Sequence, residues 1–285
     1  MRRKLHTKAM AAAAMAAVLG LLTGCFADED EIFVISREDG SGTRSAFTAL
    51  IGVQAENASG EPEDRTVDTA EITNSTGVML SGVAENRNAI GYVSLGAVND
   101  RVKVLAIDGM AATAENIRSG SYPVRRELQI VLRQDASVAA QAFAAFILSD
   151  FGQAVVEETG YVSGGSEGAF SGGQFSGEIT VSGSSSVFPV MEKLAEACMA
   201  QNSGVSIVLQ PSDSTTGIRD AADGLCDVGM TSRTLTDSER GGLRVHTVAL
   251  DGIAVIVHPE NPLENLSRQQ LCDIYTGVIT GWGQL

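Results

Sequence analysis

The sequence predicts an α/β fold arranged as two halves around an anion, and three observations carry that expectation. Strand-like and helix-like runs alternate along the 285 residues, which is the pattern of α/β architecture. Four loops share one plan of strand, hydroxyl-rich turn and helix: Asp39–Thr43, Asn74–Gly77, Ser182–Ser186 and Ser212–Gly217. Two of them, Arg37-Glu38-Asp39-Gly40-Ser41-Gly42-Thr43-Arg44 and Ser182-Gly183-Ser184-Ser185-Ser186, are written in nearly the same chemistry. A Gly/Ser turn opening a helix presents free backbone N–H groups and a partial positive charge, which together cradle an anion. Taken singly, each loop is explained by ordinary N-caps and turn glycines. Four of them at strand ends, where α/β folds place ligands, point to a binding site.

The elements follow in order. Arg2, Arg3, Lys4 and Lys8 make a basic start, and Ala9–Leu22 is apolar but short for a membrane span. Leu22-Thr23-Gly24-Cys25 resembles a bacterial lipobox, so residues 1–25 read as a lipoprotein signal peptide with lipid on Cys25. The other reading is a plain secretory signal with a chance cysteine. Ile32–Ser36 reads as a strand and Arg44–Leu50 as a helix. Glu71–Thr73 leads into a helix from Val78. Ile90–Val93, Val102–Ala106 and Leu128–Arg133 read as strands, with helices at Val138–Leu148 and Phe151–Thr159. Ser163–Gly177 is Gly- and Ser-rich with almost nothing to bury, and reads as a flexible linker. Beyond it, Ile179–Ser182, Val205–Gln210, Val228–Thr231, Val245–Leu250 and Ile253–His258 read as strands. Phe188–Gln201, Gly217–Ala222 and Leu266–Thr276 read as helices.

Composition narrows the function classes. Aromatics are 5% and hydrophobic residues 44% of the chain, a globular composition. The net charge is −15; with the four basic residues of the signal removed, 16 basic residues face 35 acidic ones. That excludes nucleic acid as a natural partner but not a small anion held by local dipoles. Cys198, Cys226 and Cys272 have no metal-like spacing and read as buried thiols, a Cys198–Cys226 disulfide being the alternative. No cofactor or metal is expected.

The quoted loops resemble those of the phosphate-binding proteins that feed phosphate ABC transporters. Ile179-Thr180-Val181-Ser182-Gly183-Ser184-Ser185-Ser186-Val187-Phe188-Pro189 resembles the family's first loop, and Arg37–Arg44 its second. Cys226-Asp227-Val228-Gly229-Met230-Thr231-Ser232-Arg233 and Ile274–Trp282 resemble further family segments. The order is reversed relative to the family, as in a circular permutation; a truncated tandem duplication is the alternative. The resemblance implies a periplasmic-binding-protein-like fold of type II, each lobe a mixed sheet flanked by helices, with the ligand in the cleft between lobes. The expected division is a discontinuous lobe, residues 26–122 and 260–285, and a continuous lobe, residues 123–259, with linker 163–177 inside it.

The resemblance also implies a phosphate site of Arg37, Asp39, Ser41, Gly42, Thr43, Ser185, Ser186, Val187, Ser214, Thr215 and Ser232. Arg37 would bind two oxygens in a fork, and Val187 would offer its N–H. Asn74, Ser75 and Thr76 are weaker candidates. Some relatives carry an aspartate where Ser232 stands. Asp39 is then the remaining candidate acceptor for the phosphate proton, the alternative being that it chiefly neutralises Arg37. The implied role is a monomeric extracytoplasmic receptor on the outer face of the cell membrane. It would pass inorganic phosphate to the permease subunits of an ABC importer. A surface sensor or adhesin, a binder of another oxyanion such as sulfate, and a serine hydrolase are the alternatives. The last is disfavoured because only His246 and His258 follow the signal and no nucleophile elbow occurs.

Overall fold

The computed structural model describes residues 30–57 and 59–285. The basic start, the lipobox and Cys25 lie outside the described residues. In chain order the strands and helices are β1 (Phe33–Arg37), α1 (Gly42–Ile51), β2 (Gln54–Glu56), β3 (Pro62–Asp64), β4 (Glu71–Thr73), α2 (Thr76–Glu85), β5 (Ala89–Ser94), β6 (Lys103–Ile107) and α3 (Ala114–Ser119). Then come β7 (Arg125–Arg133), α4 (Val138–Ile147), α5 (Asp150–Glu158), β8 (Val162–Ser163), β9 (Gly177–Ser184), α6 (Phe188–Gln201), β10 (Val205–Ser212) and α7 (Ser214–Asp223). The remainder is β11 (Val228–Thr231), β12 (Leu243–Val257), β13 (Asn265–Leu266) and α8 (Arg268–Tyr275).

One continuous path of strands runs β10-β9-β11-β7-β12-β5-β1-β4. At one end β9 is parallel to β10 and β11; at the other β1 is parallel to β4 and β5. The antiparallel pair β7 and β12 joins the two ends. All four hydroxyl loops therefore leave the carboxyl ends of parallel strands: β1 to α1, β4 to α2, β9 to α6 and β10 to α7. Their Ser and Asp residues cap the helices that follow, as Ser41 caps α1, Ser75 caps α2 and Asp213 caps α7.

Each end has its own core. Phe143, Phe146, Ile179, Val181, Leu194 and Met230 pack in one. Phe47, Tyr92, Tyr122, Ile253, Val255 and Tyr275 pack in the other, where Phe47 stacks on Tyr92 with centroids 3.9 Å apart.

Three features differ from the sequence reading. Val245–Leu250 and Ile253–His258 are a single strand, β12, whose pairing shifts by a bulge between Thr247 and Ala249. Its first part pairs with β7 as far as Gly252, and its second pairs with β5 and β6 from Ile253. One long strand thus serves both cores. Ser163–Gly177 does have something to bury. Phe170 and Phe175 pack against the first core, and Phe170 meets Phe146 edge-on at 5.6 Å. Finally, Cys272 is only half-buried, while Cys198 and Cys226 are the buried free thiols that the sequence reading expected. Burial pushes the Cys198 and Cys226 thiols up to about 11, which keeps them protonated and unreactive.

Residues 280–285 lie against residues 30–32. The Ile32 N–H donates to the Thr280 carbonyl at 2.7 Å and the Trp282 N–H to the Asp30 carbonyl at 2.8 Å. The segment that the family resemblance would join to β1 is thus packed beside it.

Candidate functional site

The first loop fixes Arg37 at the end of β1, where its side chain is only 2% exposed. Its backbone N–H donates to the Tyr92 hydroxyl at 3.2 Å, and Ser36 shares a hydrogen bond with the same hydroxyl at 2.8 Å. Burial pushes the Tyr92 phenol up to about 12, so it stays a neutral donor and acceptor. The guanidinium forks onto Glu38, Nε to Oε2 and Nη2 to Oε1, each at 2.8 Å. Nη2 also donates to Ser185 Oγ at 3.2 Å. Ser185 belongs to the β9–α6 loop, so Arg37 bridges the two ends of the molecule.

Beyond Arg37 the loops meet hydroxyl to hydroxyl. Thr43 Oγ1 and Ser186 Oγ are 2.7 Å apart. Ser184 donates to Ser232 Oγ at 2.9 Å, Ser232 and Ser214 hydroxyls are 3.2 Å apart, and the Ser232 N–H donates to Ser214 Oγ at 3.0 Å. Gly42 lies over this cluster so closely that a Cβ there would fall on Ser214 Oγ and Ser232 Oγ. Gly183 is the other obligatory glycine. Its φ of +127° disfavours any side chain, and a Cβ would strike the Met230 carbonyl. Ser41, Thr43, Ser184, Ser186, Ser214 and Ser232 are all buried, and the first-turn N–H groups of Gly42 and Thr43 have no intrahelical partner. A buried arginine, six hydroxyls and a helix N-terminus converge on one place. A donor-rich arrangement of this kind suits a small oxyanion.

The structure thus brings together Arg37, Ser41, Gly42, Thr43, Ser185, Ser186, Ser214 and Ser232 of the expected set. Thr215 sits at the rim: it is exposed, and both its N–H and its hydroxyl reach the Gly40 carbonyl across the cleft at 3.3 Å. Two expected residues are corrected. Asp39 is 97% exposed and pairs with Arg44 at 2.8 Å. The Ser41 N–H closes a turn onto the Glu38 carbonyl at 3.0 Å, which leaves Asp39 at the tip, pointing away from Arg37. The carboxylate on Arg37 is its direct neighbour, Glu38. Val187 does not offer a free N–H, because that group donates to the Ser184 carbonyl at 3.0 Å and its side chain is buried in the core. Thr76 reaches the site's edge, 3.4 Å from Ser185 Oγ, while Ser75 is occupied as the α2 cap.

Sequence reasoning missed three contributors. Ser184 lies inside the quoted loop but was not singled out. Arg126 and Asp251 form a buried pair on the joining strands β7 and β12, with Nε and Nη2 at 3.1 and 3.0 Å from Oδ2. Arg126 Nη1 donates to the Ser232 carbonyl at 3.2 Å, and Asp251 Oδ1 accepts from the Ser94 hydroxyl at 2.8 Å. Burial pushes the Asp251 carboxyl up from the usual carboxylate range, against the pull of Arg126 and the Ser94 hydroxyl. Nothing in the sequence near Arg126 signals this role, since its partners are 106 and 125 residues away.

Elsewhere, no group of three His, Cys, Asp or Glu among the described residues could hold a metal ion. His258 Nδ1 accepts the Glu260 N–H in a turn, and burial lowers the His246 imidazole.

Comparison with known proteins places this geometry. A sequence model of the PBP superfamily domain matches residues 26–150 and 168–285. A phosphate-binding protein, PstS 2, of Streptococcus agalactiae serotype V is 45% identical over 274 residues, covering 94% of each chain. The chain belongs to the phosphate-binding protein family of the PBP superfamily. Its fold is accordingly the two-lobed periplasmic-binding-protein type that the loops implied. The crystal structure of a phosphate ABC transporter phosphate-binding protein from Streptococcus pneumoniae TIGR4 superposes with a TM-score of 0.72. It is 40% identical and covers 89% of this chain and 99% of that one. Phosphate-binding protein PstS of Bacillus subtilis matches over only 114 residues at 32% identity, 39% of this chain and 38% of the relative. The S. agalactiae alignment spans nearly the whole of both chains, so that relative carries its segments in the same order as this chain.

Proposed function

We propose that this chain captures inorganic phosphate in the cleft between its two lobes and presents it to the permease subunits of an ABC importer. The carrying observation is the set of contacts across the cleft: Arg37 to Ser185, Thr43 to Ser186, and Gly42 against Ser214 and Ser232. Phosphate is an acceptor through most of its oxygens, and apart from the Glu38 carboxylate the groups gathered here are donors or hydroxyls. Arg37 supplies a guanidinium whose charge Glu38 shares, because its Nε and Nη2 fork onto that carboxylate and not onto a free anion. Thr43, Ser185, Ser186, Ser214 and Ser232 supply hydroxyls, and the first turn of α1 supplies N–H groups and the positive end of its dipole. Ser232 Oγ, which already accepts from Ser184, and the Glu38 carboxylate are the acceptors for the phosphate proton. Because both loops contribute, the anion favours the closed arrangement and is released when the lobes part.

The names of the relatives support phosphate as the ligand and an ABC importer as the destination. Family membership supports an extracytoplasmic place, and Leu22-Thr23-Gly24-Cys25 supports anchoring of a monomer to the outer face of the membrane by lipid on Cys25. The short collinear match to the B. subtilis protein supports a permuted order, because a collinear alignment retains only one side of a moved join. The deciding experiment is calorimetric titration of the chain with inorganic phosphate. Saturable heat at a one-to-one ratio is expected. No heat at millimolar phosphate overturns the reading.

A further inference from the structure

Two openings flank the serine cluster. One, of 450 Å³, is lined by Thr76, Ser185, Phe188 and Pro189 among others, with no charged residue in its lining. The other is a groove of 650 Å³ between α1 and the segment after β11, floored by β7 and β12. Its lining holds four arginines, Arg125, Arg126, Arg233 and Arg240, and one acid, Glu127. In the whole chain acids outnumber bases by 35 to 20, so this groove reverses the balance of the protein.

Two of those arginines are already neutralised. Arg126 pairs with Asp251, and Arg233 forks onto Glu239 at 2.7 and 2.8 Å. Arg125 and Arg240 are exposed and have no carboxylate partner among the described residues. They exceed Glu127 by one charge. The groove also touches the anion site directly. Arg126 donates to the Ser232 carbonyl at 3.2 Å, and Arg233 donates to the hydroxyl of Thr215 at 3.2 Å. On the facing wall, Ser45 and Ala46 of α1 follow Thr43 within one turn.

We infer that this groove is the route by which the anion enters the cleft, and that Arg125 and Arg240 steer it there. The inference rests on phosphate being the ligand. A protein of net charge −15 repels a dianion at long range, and a local excess of positive charge at one mouth gives approach a preferred direction. Steering of this kind acts on association and not on the closed complex. The arginines that steer are separate from Arg37, which holds the bound anion.

The test is the binding kinetics of radiolabelled phosphate to the full chain by rapid mixing, at low and at high salt. Arg240→Gln and Arg125→Gln should each lower the association rate about two- to threefold at low salt. Dissociation should stay unchanged, and the difference should vanish at high salt, where the charges are screened. Glu127→Gln keeps an acceptor for Gln129 and Thr247, which Glu127 now serves at 2.7 and 3.0 Å. It should raise the association rate, an outcome that damage to the fold does not produce. Wild-type association rates in all three variants, with phosphate binding intact, overturn the entry route alone. A wild-type chain that binds no phosphate overturns the functional reading, and this inference falls with it.

Discussion

Replacing Gly42 by Ala tests whether closure of the cleft is what binds the anion. Gly42 is in the first turn of α1, on one lobe; Ser214 and Ser232 belong to the other. A Cβ at residue 42 would sit on both serine hydroxyls and 2.9 Å from the Ser214 Cβ, well inside van der Waals contact. The clash is with the facing lobe, so separating the lobes is expected to relieve it and the strain to fall on the closed form. Overpacking by a single methyl costs about 1–3 kcal/mol, which corresponds to roughly a 5- to 150-fold loss of affinity for a ligand that requires closure. Stability should move the other way or not at all, since Ala is a better helix residue than Gly by up to about 1 kcal/mol. Calorimetry with phosphate and thermal unfolding without it separate the two effects. Affinity within twofold of wild type would refute the reasoning, because the hydroxyls would then have room to yield. A parallel fall in melting temperature would also refute it, because the contact would then support the fold and not closure.

Other expectations concern charge. Arg37→Ala removes the buried guanidinium that bridges the two loops through Ser185. A charge-assisted hydrogen bond is worth roughly 1.5–3 kcal/mol, so phosphate affinity should fall at least about tenfold, measured by the same titration. Ser232→Asp sets a fixed carboxylate where a hydroxyl now accepts; displacement of bound phosphate by sulfate should weaken, because sulfate has no proton to offer it. Asp39→Asn, on an exposed residue paired with Arg44, should leave that competition unchanged. The Arg233 guanidinium holds the Glu239 carboxyl down to about 2, from a usual 4.5. A depressed acid stabilises the fold above its unfolded value and loses that contribution as pH falls through its folded one. The stability difference between wild type and Glu239→Gln, from urea unfolding, should therefore be full at neutral pH and shrink between about pH 4.5 and 2. A difference independent of pH would remove the ion pair as its source.

Much of the fold was legible because its signals are local. Alternation of β-branched residues, caps such as Ser41, Ser75, Ser137 and Ser267, and turn glycines each act over a few residues. The loops that carry the site were legible for the same reason. Arg37, Ser41, Gly42, Thr43 and Ser186 lie in two short motifs, and a strand–turn–helix unit presents its donors wherever it occurs. The sequence was less informative where two choices were locally equivalent. Glu38 and Asp39 are adjacent acids beside one arginine, and either composition suits the turn.

Only the tertiary structure decided between them, because the turn closing Ser41 onto Glu38 turns one carboxylate toward Arg37 and the other to solvent. It also decided that Phe170 and Phe175 of a Gly-rich stretch have a core to pack on, and that two apparent strands are the single strand β12 crossing between lobes. The buried Arg126–Asp251 pair and its grip on Ser232 depend on residues more than a hundred positions apart. The sequence by itself determined which local units form and what they can donate. Which of them face each other across the cleft is a matter of packing, since a buried charge or hydroxyl takes whatever partner the folded chain brings within hydrogen-bond reach.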